Sequence, residues 1–308
     1  MNSLYKNYYR NHYLRTGGFI PTKPLAQNVY PGDFFQIQNG EMIVLGNIFR
    51  NRLISPEDTY LENGVKLNAP NWNFKDGVSN AFSSDRDGHY SKDDKDFRFS
   101  KQVYQFERAS SFSFQANNPE SVKISNWSDI QMQLIIKLTQ TQYSFREVYV
   151  ATECATASEW TLAIANSERG EVEMTTKENA STFLDLFGHI DSKTVRANDI
   201  EYCKQITTRI PCFFKGKKLV VQNEKLEVFI SELIGQRERL PDWASDFYDY
   251  EFDYDRSVYT PEVTRNAQAS ILDMLQTNQL NPNTALMYFR WEDMNLDDVE
   301  KLFIEYGY

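Results

Sequence analysis

Three consecutive segments of this 308-residue chain alternate apolar and polar residues with a period of two, and that pattern limits the fold more than any other feature. Val148 and Val150 alternate with Glu147 and Tyr149. Trp160, Leu162 and Ile164 alternate with Thr161, Ala163 and Ala165. Val172 and Met174 alternate with Glu171 and Glu173 beyond an Arg169-Gly170 turn. A period of two places alternate side chains on opposite faces of an extended chain, so 145–176 predicts a meander of antiparallel strands with one apolar face. The large aromatic content, 21 Phe and 18 Tyr, agrees with strands rather than a helical bundle.

Other segments extend the β pattern. Phe35–Ile37 and Met42–Leu45 flank Asn39-Gly40, a strong two-residue hairpin turn. Val103, Phe106, Phe112 and Phe114 mark strands on either side of Ala109-Ser110, and Leu219–Val221 is expected to pair with Leu226–Phe229. Residues 68–100 are polar and predict a long loop or hairpin tip. A short helix is expected where Ser128 and Gln131 have capping-box spacing and Ile130, Leu134 and Leu138 recur every fourth residue. A helical turn is expected at 181–187, a helix after Thr260-Pro261-Glu262, and another from Asn295 through Val299, Leu302 and Phe303.

Charge divides the chain. Of 43 acids and 33 bases, residues 236–308 hold 15 acids against 6 bases, leaving the rest close to neutral. This quarter contains Asp246-Phe247-Tyr248-Asp249-Tyr250-Glu251-Phe252-Asp253-Tyr254-Asp255, in which every residue is acidic or aromatic. Such a run suits a strap lying on a basic, apolar surface or a solvated linker awaiting a partner. The first 32 residues contain Lys6, Arg10, Arg15 and Lys23 and no acid, interleaved with Tyr5, Tyr8, Tyr9 and Tyr13. An arm of this composition can lie on lipid headgroups, an acidic protein surface or nucleic acid. The net charge of −10 argues against nucleic acid as a partner of the intact chain. The expectation is an α+β protein: a β-rich body, 1–235, formed by a twisted antiparallel sheet with surrounding helices, and a helical acidic tail, 236–308.

Few residues offer chemistry. Cys154, Cys203 and Cys212 have no CxxC spacing and read as reduced intracellular thiols, with Cys154 a small buried residue. His12, His89 and His189 are scattered. The best ligand cluster, His89 with Asp85, Asp87 and Asp93, lacks the glycine position and terminal Glu of a calcium loop. There is no GxSxG, glycine-rich phosphate loop or Walker lysine, so neither an enzyme nor a cofactor is expected. No signal-peptide core or long apolar run occurs, which predicts a cytoplasmic protein at rest. The stripe of Trp160, Leu162 and Ile164 suits a protein core or lipid.

From Phe145 onward the order of features resembles that of bacterial gasdermins, which are pore-forming proteins. Glu147-Val148-Tyr149-Val150-Ala151-Thr152 is similar to a family strand of the form DIYVVT. An alternating strand, Glu159–Ala165, then a glycine turn and Glu171–Thr175 follow in the family's order. Pro211-Cys212-Phe213-Phe214-Lys215-Gly216 is similar to a late P-hydrophobic-x-F-G-F segment, and Gln38–Gly46 to a family turn. Two features differ: no cysteine precedes Cys154, where the family often carries a lipidated one near its start, and the tail is longer.

The resemblance implies an autoinhibited pore-forming effector of bacterial immunity. Lys6, Arg10, Arg15 and Lys23 would meet anionic lipid; Val148, Val150, Trp160, Leu162 and Ile164 would belong to inserting hairpins. Asp246, Asp249, Glu251, Asp253 and Asp255 would form the inhibitory tract, and Arg237, Arg239 and Arg256 are candidate cleavage points for a protease partner. The protein would be a monomer at rest and a homo-oligomer in the inner membrane. The alternative is a non-lytic adaptor whose acidic-aromatic tail binds a basic partner.

Overall fold

The computed structural model describes residues 2–90, 95–139, 148–168, 170–179, 192–222, 286 and 289–304. It is built largely of antiparallel strands with few helices, the α+β class expected from the period-two pattern. In chain order the elements are α1 (Asn2–Thr16), β1 (Ile20–Pro21), β2 (Asp33–Gln38), β3 (Glu41–Asn47), β4 (Leu61–Lys66), β5 (Asn73–Asp76), β6 (Val78–Tyr90), β7 (Lys95–Phe106), β8 (Phe112–Asn117), β9 (Glu120–Ile124) and α2 (Trp127–Thr139). Then come β10 (Tyr149–Thr156), β11 (Glu159–Ala165), β12 (Glu171–Asn179), β13 (Ser192–Asn198), β14 (Ile200–Ile206), β15 (Phe213–Val221), β16 (Phe289–Asp293) and α3 (Leu296–Lys301).

Four stretches of chain lie side by side: 61–90, 95–124, 149–179 and 192–221. Each passes through three sheets. In the proximal sheet β4, β9, β10 and β15 are neighbours in that order; in the middle sheet β5, β8, β11 and β14; in the distal sheet β6, β7, β12 and β13. Every pairing is antiparallel. The expected meander at 145–176 is therefore corrected. β10, β11 and β12 are strands, but none pairs with the next, because only two residues (Ala157 and Ser158) separate β10 from β11 and the chain turns from one sheet into the next there.

The polar stretch 68–100, expected as a long loop or hairpin tip, is mostly strand and belongs to an antiparallel strand pair. β6 and β7 pair from Val78↔Phe106 to Tyr90↔Lys95. A polar sequence forms such a ribbon when cross-strand backbone bonds, rather than an apolar face, set the structure. Asp85, Asp87 and His89 thus lie on β6, and Asp93 lies outside the described residues.

The proximal sheet is filled on both faces. Phe35 and Tyr149 pack on the α1 side with Tyr8, Tyr9, Phe213 and Phe214; Phe34, Val148 and Val150 pack on the other side with Ile130, Leu134 and Leu138 of α2. The α2 stripe is the one expected, although the helix begins one residue before Ser128, and Asn126 in front of it donates its amide to Asp58 O and accepts from Tyr60 N. Asn39 (φ 51°) and Gly40 (φ 76°) form the expected β2–β3 turn. The expected partner of Leu219–Val221, Leu226–Phe229, and the helices at 181–187 and after Thr260 lie outside the described residues. Leu219–Val221 pairs with Phe289–Trp291 of β16.

Candidate functional site: a C-terminal strap and a row of strand breaks

Residues 2–16 are a docked helix rather than a surface arm. Tyr5, Tyr8, Tyr9, His12, Tyr13 and Thr16 recur at helical spacing, and Tyr8, Tyr9 and His12 are buried. His12 stacks on Phe213 with ring centroids 4.9 Å apart, and its Nδ1 lies 3.0 Å from the Phe19 carbonyl. Burial without a counter-charge pushes its pKa down to about 3, so it is neutral at physiological pH. Of the four arm bases, Arg10 and Arg15 are exposed. Lys6 forms an ion pair with Glu300 at 3.2 Å, and Lys23 donates to Leu302 O and sits 4.5 Å above the Phe303 ring.

These partners belong to one segment, residues 289–304. It begins as a strand on the outer edge of β15, from Lys217↔Asp293 to Val221↔Phe289. Trp291 anchors this strand to α2: its indole donates to Gln131 O at 3.0 Å and meets Trp127 edge-on at 5.4 Å. The chain then enters α3, capped by Asn295 in a capping box with Asp298. Leu302 ends beside the β2–β3 turn, where a Cβ on Gly40 would lie 2.9 Å from Leu302 O. Tyr13 donates to Met294 O at 3.1 Å, and Tyr9 packs edge-on against Phe303 at 5.0 Å. The segment is a strap across the proximal sheet.

At its centre is a fully buried carboxylate. Asp298 lies 3.1 Å from Lys218 Nζ and 3.8 Å from Lys301 Nζ, and accepts from Tyr149 Oη at 3.3 Å and Asn295 N at 2.9 Å. Removing one member of a buried ion pair leaves the other desolvated and uncompensated, at a cost of about 3–5 kcal/mol. The Lys6–Glu300 pair is half-exposed and contributes about 0–1 kcal/mol. The strap is therefore held chiefly by Asp298, the Trp291 anchor and five residues of strand pairing.

A second feature crosses all four stretches between the middle and distal sheets. The breaks fall at Gly77, at 107–111, at 166–168 and Gly170, and at Asp199, side by side. Gly77 has φ 59°, Ser110 66° and Asp199 51°, conformations an ordinary strand does not use. Hydrogen bonds join the breaks laterally: Glu107 N to Gly77 O, Phe106 N to Gly170 O and Asn166 N to Asp199 O. A Cβ on Gly77 would lie 2.3 Å from Oγ of Ser111, a buried hydroxyl without a hydrogen-bond partner among the described residues. Beyond this row lie distal strands of 13, 12, 9 and 7 residues.

Val148, Val150, Trp160, Leu162 and Ile164 are buried in the protein core in this state. The inhibitory tract (Asp246, Asp249, Glu251, Asp253, Asp255) and the candidate cleavage points Arg237, Arg239 and Arg256 lie outside the described residues. Cys154 and Cys212 are buried and their thiols pushed up, Cys212 to about 12, so neither is a thiolate at neutral pH. Asp298, Lys218, Tyr149 and Trp291 were not singled out from sequence. The Asn295-x-x-Asp298 capping spacing was the available signal, but it does not tell a buried acid from the other acids of the tail. No helix among the described residues is long and apolar enough to cross a membrane, which says nothing of strands.

No family model and no curated protein matches the chain. Among solved structures, a bacterial gasdermin from Bradyrhizobium tropiciagri matches at 10% identity with a TM-score of 0.28, over 65% of this chain and 80% of that one. A likeness of that size carries no functional conclusion.

Proposed function

We propose that this protein is an autoinhibited, gasdermin-like pore-forming effector of bacterial immunity. Cleavage in the tail lets the strap leave; the body then binds anionic lipid, oligomerises and permeabilises the membrane. The observation that carries this reading is the distal sheet. Its strands span the range of the roughly 9–11 residues a transmembrane strand needs. Because β6 and β13 are its edges and it has four strands, lateral repetition of copies pairs β13 with the next β6 antiparallel. Only closure of that kind leaves no unpaired edge in hydrocarbon. Arg10 and Arg15 are exposed bases available to headgroups, each worth about 1 kcal/mol near an anionic surface.

The test is dye release from anionic liposomes by the full chain cut between Gln236 and Glu262, compared with the intact chain. The cut chain should release dye and sediment with lipid. A folded cut chain from which the strap has dissociated, and which does neither, defeats the pore reading and favours the adaptor.

A further inference from the structure

The strap touches both edges of the proximal sheet. On one side β16 occupies the outer edge of β15 over Lys217–Val221, next to β1 at Phe213 and Phe214. On the other, Leu302 and Ile304 lie against the β2–β3 turn, and Leu302 also holds Lys23, whose carbonyl accepts from Met42 N on the outer side of β3. β3 is the last strand on that side of the sheet, and its Ile43 and Val44 are about 40% exposed. An edge strand bearing exposed apolar residues is a template for pairing unless something covers it.

Strand direction identifies what can replace β16. β3 is antiparallel to β2, β2 to β10, and β10 to β15, so β3 runs antiparallel to β15, in the same sense as β16. A second copy displaced sideways, without inversion, therefore brings its β3 to the β15 edge in the orientation β16 now holds. Side chains also match: β15 offers Lys217, Lys218, Leu219 and Val220, and β3 offers Glu41, Ile43 and Val44. Such a contact is head-to-tail, the type that closes rings when the rotation permits.

We infer that the strap blocks head-to-tail association of the proximal sheets, and that on its release the β3 edge of a second copy pairs with the vacated β15 edge. The inference rests on the reading that the strap leaves on activation. It adds an interface in the body, separate from any between distal sheets.

The test uses full-length protein without lipid. The double variant Asp298→Asn, Trp291→Ala should show faster hydrogen exchange over 289–304 and should associate in sedimentation, where the parent is monomeric. Adding Val44→Lys should reduce that association at least tenfold. With Cys203→Ser throughout, mixing Val220→Cys and Val44→Cys chains in the unlatched background should give an intermolecular disulfide at least tenfold above the latched background. Association indifferent to Val44→Lys, or a released strap without association, overturns the inference. Should the double variant lose its fold by circular dichroism, the cut full chain carrying Lys217→Cys and Asp293→Cys, which are register partners, replaces it. Reduced, it should associate; oxidised, it should stay monomeric, and equal behaviour of the two overturns the inference. Dye release is read in parallel. Edge pairing without dye release removes the pore reading and leaves this interface, whereas dye release untouched by Val44→Lys does the reverse.

Discussion

The proximal and distal ends of the same four chain stretches are stabilised differently. At the proximal end, sheet faces are filled by α1 on one side and α2 on the other, with Trp72, Phe213 and Tyr149 wholly buried and Trp160 of the middle sheet joining the same core. At the distal end the chain carries Ser83-Ser84-Asp85-Arg86-Asp87 opposite Arg98-Phe99-Ser100-Lys101-Gln102, joined by strand pairing. A small apolar cluster of Tyr104, Phe106, Ala163, Ala165 and Val172 lies near the row of breaks. Apolar burial scales with area removed from water, so the filled faces of the proximal sheet contribute much of the stability.

Five substitutions would break or sharpen that contrast. The largest effect is expected from Trp160→Ala, which empties a fully buried site facing Phe213 and Phe114: about 3–5 kcal/mol lost, read from the urea midpoint. If it costs under 1 kcal/mol, the proximal core is not the seat of stability. Asp298→Ala should cost about 3 kcal/mol and expose 289–304 to protease before the body unfolds; simultaneous digestion of both would show that the strap is part of the core.

Acid should act on the same end. His12 has a folded pKa of about 3 against about 6.5 unfolded, so the unfolded chain binds the extra proton between those values. Stability is full above about pH 6.5 and falls as pH drops, by about 2 kcal/mol at pH 5. His12→Phe should flatten the stability profile over this window; an unchanged slope would place the acid sensitivity elsewhere. At the row of breaks, Gly77→Ala should cost about 1–2 kcal/mol through its positive φ and the collision with Ser111. Past the row, Ser79→Ala at an exposed position should change stability by under about 0.5 kcal/mol, and a larger loss would remove the contrast between the two ends.

How much was legible in the sequence depended on how local the signal was. Asn39-Gly40 names its turn because few residues tolerate two consecutive positive φ values. Ile130, Leu134 and Leu138 name a helix face because four-residue spacing leaves little alternative. α1 was misread although its spacing is equally regular. Its buried face is made of tyrosines and a histidine, residues that also suit a surface, and only the aromatic pocket around Phe213 and Trp72 makes them core.

The extended character of 148–176, the hairpin at 33–47, the α2 stripe and the helix following Asn295 were determined by the sequence alone, since each follows from dihedral preference and periodicity over a few residues. Which strands meet was decided by tertiary structure. A strand's backbone donors are the same whatever its side chains, so β11 could not announce that it pairs with β8 and β14 rather than with β10. β16 joins β15 across some seventy residues of chain, and Asp298 becomes a buried ion-pair partner only because α3 lays it over Lys218 and Tyr149. Those facts depend on which surfaces the fold brings together, and no local pattern encodes them.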